Sequence, residues 1–385
     1  MSAPEAERLA PEAERLARVA LCRLAEPGDP RLASLVSEIG AIRVRDHLAE
    51  ERDMHGLHSD VAARLAAIDP ERDLERAAGR GIRCVVPGDA EWPGSLDDLA
   101  AAAPLQSRGG VPLALWVRGP VLLSSLEQAV SVVGSRSATS YGADVAAEIS
   151  AGLSREGYAV VSGAAFGIDQ AAHRGALGGG GRTVAVLACG VDRAYPAAHK
   201  PLIDHLAQVG AVVSEAAPGC APSRLRFLAR NRMIAALTRG TVVVEAAVRS
   251  GALNTANWAD RLARGVMGVP GPVTSASSQG VHQLLRSGGA ALVTDAADVL
   301  ELVGRAGEHL TAEPRGPSRA RDRLSHRDQQ ILDAVPLVNA VATDSIARTA
   351  GIGLVEVGSA LERLSRLALV ERVGAGWRLA PSAQG

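Results

Sequence analysis

The chain has 385 residues, 47% of them apolar and 22% charged, which is enough to build two or three packed domains and excludes wholesale disorder. No apolar run approaches the roughly 18 residues of a membrane-spanning helix, and the acidic, amphipathic start MSAPEAERLAPEAERLA is unlike a secretory signal, so a cytoplasmic protein is expected. The formal net charge of -1 hides a segregation: residues 1–130 hold 15 Arg and 21 acids (net -6), residues 131–290 hold 15 Arg or Lys and 9 acids (net +6), and residues 291–385 hold 11 Arg and 12 acids (net -1).

The basic middle third depends almost wholly on guanidinium groups, because lysine occurs once, at Lys200. Arginine presents a planar fork that meets a phosphate through two bonds, so an anionic partner is expected there. The cysteines, Cys22, Cys84, Cys189 and Cys220, are far apart in sequence. They form neither a metal clip nor a redox CxxC, and read as small apolar side chains.

The first elements are two tandem copies of PEAERLA, Pro4 to Ala10 and Pro11 to Ala17. Two heptads are too few for a coiled coil and Pro11 interrupts them, so residues 1–17 read as a solvated extension. From Leu16 to Ala78 the apolar residues fall at helical spacing, broken at Pro27 to Pro30 and at Asp69-Pro70. This makes a small helical N-terminal domain, residues 1–80. Two short strands, Ile82 to Val86 and Leu113 to Val117, follow among Gly- and Pro-rich stretches.

From Ala129 β-branched runs alternate with Ala-rich helical stretches, the pattern of a parallel sheet with crossover helices. Strands are expected at Val130 to Val133, Ala159 to Val161, Thr183 to Leu187, Ala211 to Val213, Thr241 to Val244 and Val266 to Val269. Helices are expected at Tyr141 to Glu156, Ile168 to Leu177, Ala198 to Gln208, Ser223 to Leu237, Ala252 to Arg264 and His282 to Arg286. Residues 81–303 therefore read as an α/β core with a Rossmann-like, doubly wound, mostly parallel sheet. Residues 304–323 read as a polar linker. Residues 324–381 scan as three short helices and a hairpin, the winged-helix pattern, with 7 Arg against 6 acids over 323–381.

Small-residue turns end several of the core strands. The first, Gly134-Ser135-Arg136, opens a helix capped by Thr139 or Ser140 and suits a phosphate, with Arg136 as a ligand. The second, Ser162-Gly163-Ala164-Ala165-Phe166-Gly167, leads into Asp169, read as a capping carboxylate, and His173, read as a structural histidine bonded to backbone. The densest cationic run carries Arg224, Arg226, Arg230, Asn231 and Arg232 around Phe227, a pattern that lines a groove for a sugar-phosphate backbone while a ring stacks on a base. Ser250-Gly251 begins another helix at the same sheet edge. There is no Walker lysine, GxSxG elbow or HExxH, so no catalytic residue, cofactor or metal is assigned.

In this order the segments VVGSR, YG, SGxAxGID, AHxGAL, VAVLxxGxDxxYP, RNRxIAxL, VVEAxxxSGALNTA, VPGPV and LLRSGGA resemble the DprA/Smf DNA-processing family, closely over Trp92 to Ala290. The resemblance implies a homodimer that binds and protects single-stranded DNA during natural transformation, loads the RecA recombinase onto it and displaces single-strand-binding protein, without turnover. It also implies a DNA pocket made by Gly134, Ser135 and Arg136, by Ser162 and Gly163, and by Arg230, Asn231 and Arg232. Two positions depart from the pattern: Phe166 stands where the family often has a basic residue, and Leu228-Ala229 replace the middle of FPxRNR. Phe166, or Tyr141, is then expected to stack on a base, with one phosphate contact fewer.

The rival reading is a nucleotide enzyme on the same fold, like the phosphoribohydrolases of the lonely-guy family. Their PGGxGTxxE turn is replaced here by Ser250 to Thr255, with Trp258 where Glu should stand and Glu245 before the turn. A third is a sensor that binds a small nucleotide and signals through the C-terminal module.

Overall fold

The computed structural model describes residues 9–51, 59–310 and 320–381. The chain forms two compact units, Met1–Thr311 and Ala312–Gly385. No helix among the described residues is long and apolar enough to cross a membrane.

The first unit opens with α1 (Glu12–Leu24), α2 (Pro30–Ile39), α3 (Ala41–Glu50), α4 (Asp60–Ala66) and α5 (Pro70–Ala78). The prolines set these boundaries. Pro30 and Pro70 occupy first helical positions behind the capping carboxylates Asp29 and Asp69, where the missing N–H costs nothing. Pro11 likewise precedes the first turn of α1. The second PEAERLA copy is therefore not a solvated extension. Ala17 is fully buried, and Arg15 pairs at 2.6 Å with Asp89, whose other bonds include the Ala10 N–H at 2.8 Å. Most of the first copy lies outside the described residues.

A nine-stranded sheet follows: β1 (Ile82–Val85), β2 (Leu115–Arg118), β3 (Ala129–Val133), β4 (Ala159–Ser162), β5 (Thr183–Val186), β6 (Ala211–Ser214), β7 (Gly240–Val243), β8 (Gly265–Gly268) and β9 (Ala291–Leu292). Its order is β1-β2-β6-β5-β4-β3-β7-β8-β9. β6 through β9 are parallel neighbours, and β1 and β2 extend the β6 edge antiparallel. The crossovers are α6 (Ser140–Arg155), α7 (Ile168–Gly178), α8 (Lys200–Val209), α9 (Arg224–Ala236) and α10 (Gly251–Arg261). Beyond β8 come α11 (Gln279–Arg286) and α12 (Ala296–Val303).

Alternation along β3 separates the two faces. Ala129 and Val133 pack with Met233 to Ala236 of α9, Leu237 just after it and Trp258 of α10. Val130 and Val132 pack with Ile149 and Leu153 of α6, Ala172 of α7 and Val299 and Val303 of α12. Helices thus cover both faces, which is why these strands read as unbroken apolar runs. The chain winds outward from β3 to β6, then returns to β7 on the other side of β3, leaving a crevice at the carboxyl ends of β3 and β7.

Sequence patterning missed β9 and α12. β9 has two residues, both exposed, and so offers no period to detect. The expected linker begins as ordered chain, with His309 edge-on to Tyr158 at 5.9 Å between ring centroids. Its residues 311–319 lie outside the described residues.

The second unit contains α13 (His326–Asp333), α14 (Thr343–Ala350) and α15 (Leu354–Arg366), then an antiparallel hairpin of β10 (Val370–Val373) and β11 (Gly376–Leu379). It has its own core around Ile331, Ile346, Leu361, Leu364 and Trp377.

Candidate nucleic-acid interface

Two adjoining cavities open at the carboxyl ends of the parallel strands. A cleft of about 690 Å³ is lined by Gly134, Ser135 and Arg136 after β3, by Arg249, Ser250 and Gly251 after β7, and by Arg224, Phe227, Arg230 and Asn231 of α9. Four guanidinium groups and one carboxylate, Asp169, line this cleft, so its field favours anions. A notch of about 140 Å³ shares Arg136 and Phe227 with it and adds Gly163, Phe166 and Tyr195.

The turn after β3 is tied to β7 through Glu245. This carboxylate is buried and accepts from the Thr139 N–H (3.0 Å), the Thr139 hydroxyl (2.5 Å) and the Ser277 hydroxyl (3.2 Å). Its carbonyl accepts from the Ser135 N–H at 2.7 Å. Thr139 then caps α6 by accepting from the Gly142 N–H. A Cβ at residue 142 would overlap the Glu245 carboxylate, so a larger residue there would displace it from Thr139.

The turn after β4 is held by a buried pair of opposite charges. Asp169 accepts from the N–H groups of Gly163 and Ala165 at 3.2 and 3.4 Å, so it fixes the turn from inside the helix start. Arg230, 6% exposed, donates through Nη1 to the carbonyls of Gly163 and Val186 at 2.8 and 2.7 Å and through Nε to Asn231 Oδ1. Burial raises the Asp169 pKa, against the opposing pull of Arg230. Burial also lowers that of Arg230, with Asp169 opposing. Gly163 has no room for a side chain, since a Cβ would overlap the Arg230 guanidinium.

Most of the expected residues meet here. Gly134, Ser135, Arg136, Arg224, Arg230, Asn231, Ser250 and Gly251 line the cleft, and Gly163 and Phe166 line the notch. Arg232 does not. It is fully buried and makes a double ion pair with Glu215, both contacts at 2.7 Å, while Nε donates to the Gly110 carbonyl. Ser162 is also corrected: its enclosed hydroxyl donates to the Val132 carbonyl at 2.7 Å, inside the sheet. Tyr141 is directed elsewhere, its hydroxyl donating to the Pro270 carbonyl.

The arginine run on α9 is therefore divided around the helix. Arg224 and Arg230 face the cleft, Arg232 faces the core, and Arg226 is held by both oxygens of Glu26 at 2.8 Å. The N–H groups of Ser135, Ser137, Gly163 and Ala165 are already bonded within the protein. Cationic side chains, with the N-terminus of α10 behind its Ser250 cap, supply the attraction for an anion. Arg249 was missed by sequence reasoning; its signal was its place just before that cap.

His173 is fully buried and bonds through Nδ1 to the Thr183 hydroxyl at 2.7 Å, so its partner is a side chain and not backbone. Burial, reinforced by Arg230 and His199, lowers its pKa to about 3. With a folded pKa below the unfolded 6.5, the unfolded chain takes up the proton first, and this histidine's contribution to stability is lost as pH falls from about 6.5 to about 3. In urea titrations, His173→Gln should lose about 2 kcal/mol less than the parent between pH 7 and pH 5. Equal losses would refute the assignment.

A doubly covered, mostly parallel sheet with a cationic crevice at the reversal of its strand order defines an α/β protein built to receive an anionic ligand. The profile of the family described as DNA recombination-mediator protein A matches residues 83–304. The DNA processing protein DprA of Mycobacterium tuberculosis (strain CDC 1551 / Oshkosh) is 44% identical over 362 residues, 93% of this chain and 92% of that protein. The chain belongs to this DprA/Smf family. The X-ray structure of DprA from Streptococcus pneumoniae matches with a TM-score of 0.62 and 30% identity, covering 76% of this chain and 98% of that one. A Helicobacter pylori DprA structure, described for its single-stranded DNA binding mode, matches with a TM-score of 0.50 and 25% identity over 57% of this chain and 94% of that one.

Proposed function

We propose that this protein is a recombination mediator that binds single-stranded DNA in the cleft without turning it over. The observation that carries the reading is the convergence of Arg136, Arg224, Arg230 and Arg249 on one cleft beside exposed aromatic rings. Phosphates neutralised in succession by guanidinium groups, with ring faces for the bases, make a sequence-tolerant single-strand site. The single-strand-binding relative from H. pylori supports it.

Binding without catalysis fits the engagement of the nearby titratable groups. Glu245 is taken up by Thr139 and Ser277, Asp169 by turn N–H groups, and His173 by Thr183. Protection of the strand, loading of RecA, displacement of single-strand-binding protein, dimerisation and a cytoplasmic location complete the proposal on the strength of family membership. The second unit is read as a winged helix with a protein-contact or regulatory role. On α15, Arg363 is paired with Asp328 at 2.6 Å, and Glu356 lies 3.8 Å from Arg327, so this helix presents a charge-balanced surface to duplex DNA.

Fluorescence anisotropy of labelled oligo-dT and of matched duplex across a salt series tests the reading. Salt-sensitive binding that favours the single strand is expected. Release of free base from a nucleoside monophosphate, or mononucleotide binding with no DNA binding, would overturn it.

A further inference from the structure

The row of cations on α9 stops short of what its spacing offers. Arg230 lines the cleft, and Arg226 precedes it by one helical turn, so the two stand about 40° apart around the helix and about 6 Å apart along it. On spacing alone Arg226 continues the series of phosphate ligands. Yet it lines neither the cleft nor the notch. Its Nε and Nη2 donate to Oε2 and Oε1 of Glu26, both at 2.8 Å, and its Nη1 donates to the Ala221 carbonyl at 2.5 Å. All three nitrogens are engaged within the protein.

Arg136, Arg224 and Arg249 are exposed and form no ion pair among the described residues, so this neutralisation singles out Arg226. Within the pair the carboxylate is the outer partner: the Glu26 side chain is 43% exposed and that of Arg226 17%. Glu26 therefore covers the cation from the solvent side. It is also fixed there, because the chain beyond the end of α1 is fastened at every residue that follows Glu26. The Pro27 carbonyl accepts from Arg108 Nη1 at 3.2 Å, the Gly28 N–H donates to Glu215 at 3.2 Å, and the Gly28 carbonyl accepts from the Gly109 N–H at 3.0 Å. A partly exposed pair adds little to stability. Its larger effect is on charge, since it withdraws one cation from the face that an anionic strand meets.

We propose that Glu26 marks one end of the strand path: its carboxylate occupies on Arg226 the place that a further phosphate would take, and so sets how many nucleotides one molecule holds. A carboxylate and a phosphate present the same paired oxygens to a guanidinium fork, which makes Glu26 a built-in competitor at that position. A strand that has passed the cleft arginines leaves the protein at the first turn of α9 instead of running on along it. Glu26 thus governs the length of strand bound and has no part in base identity. It belongs to the acidic first third of the chain and Arg226 to the basic middle, so the charge segregation of the sequence is brought to bear at this one contact.

The inference rests on the single-strand reading above, and its test separates the two. Full-length parent, Glu26→Gln, Glu26→Ala and the double variant Glu26→Gln with Arg226→Gln are titrated with oligo-dT of graded length over a salt series, and urea midpoints check that each is folded. Both single variants should bind long strands about 5- to 30-fold more tightly at low salt, the gain of a charge-assisted contact less the lost ion pair. Their slope of log affinity against log salt should steepen by about 0.7, one added phosphate, and the shortest strand that binds at full affinity should lengthen. The double variant removes both charges and should return slope and length to those of the parent. A slope that stays steep in the double variant would reveal a general charge effect, and one shallower than the parent's would mean that Arg226 already holds a phosphate; either result overturns the inference. If the parent binds oligo-dT but the single variants keep its slope and its length dependence, the inference is refuted and the function stands. If the parent binds no oligonucleotide, both fall.

Discussion

Arg232→Met lowers the stability of the first unit by about 3–5 kcal/mol, the cost of leaving a buried charge without its partner. Both Glu215 oxygens receive Arg232 nitrogens at 2.7 Å, and Oε1 also accepts the Gly28 N–H at 3.2 Å. Removing the guanidinium leaves that carboxylate enclosed and the Gly110 carbonyl, which accepted from Nε at 3.0 Å, without its donor. A double variant, Arg232→Met with Glu215→Leu, should recover much of the loss, because it removes the stranded charge as well. Urea midpoints read both effects. A single variant within 1 kcal/mol of the parent would contradict the pairing.

Arg136→Ala should show the opposite profile: unchanged urea midpoint and a loss of about 10- to 100-fold in affinity for oligo-dT, the scale of a charge-assisted phosphate contact. Arg136 is exposed at the cleft mouth and rests on the Phe227 ring, so its removal opens no cavity. The slope of log affinity against log salt should fall by about 0.7, one phosphate on a single strand. Arg136→Lys should restore the slope but only part of the affinity, since an ammonium lacks the planar fork. An unchanged slope in Arg136→Ala would move the phosphate path away from the turn after β3.

These two arginines show what could be read in the sequence and what could not. The core strands were legible because doubly buried β-branched runs have no polar alternation to confuse them; β3, β4 and β7 fall within a residue of expectation. The turns after them were legible through their small residues. The facing of α9 was not read, although a signal existed: Arg230 and Arg232, two residues apart, stand about 200° apart around a helix, so one groove could not hold both. Glu215, the partner that explains Arg232, sits just past the end of β6, and only the tertiary fold brings it within reach. α12 carried a legible cap in Asp295, but its eight residues were too short to stand out from the polar chain after it.

The order of the strands also sets when the cleft can exist. β3 is bonded to β7 across 110 residues of chain, through the Ser131 and Thr241 hydroxyls among others, and the turn after β3 is tied to Glu245. Such non-local closure is slow compared with local helix formation. At about 5–20 residues per second of synthesis, the Gly134 turn leaves the ribosome several seconds before the strand that completes it. The arginines of α9 come just before β7 in the chain, so the early turn waits while the cations and the strand that completes the cleft arrive almost together.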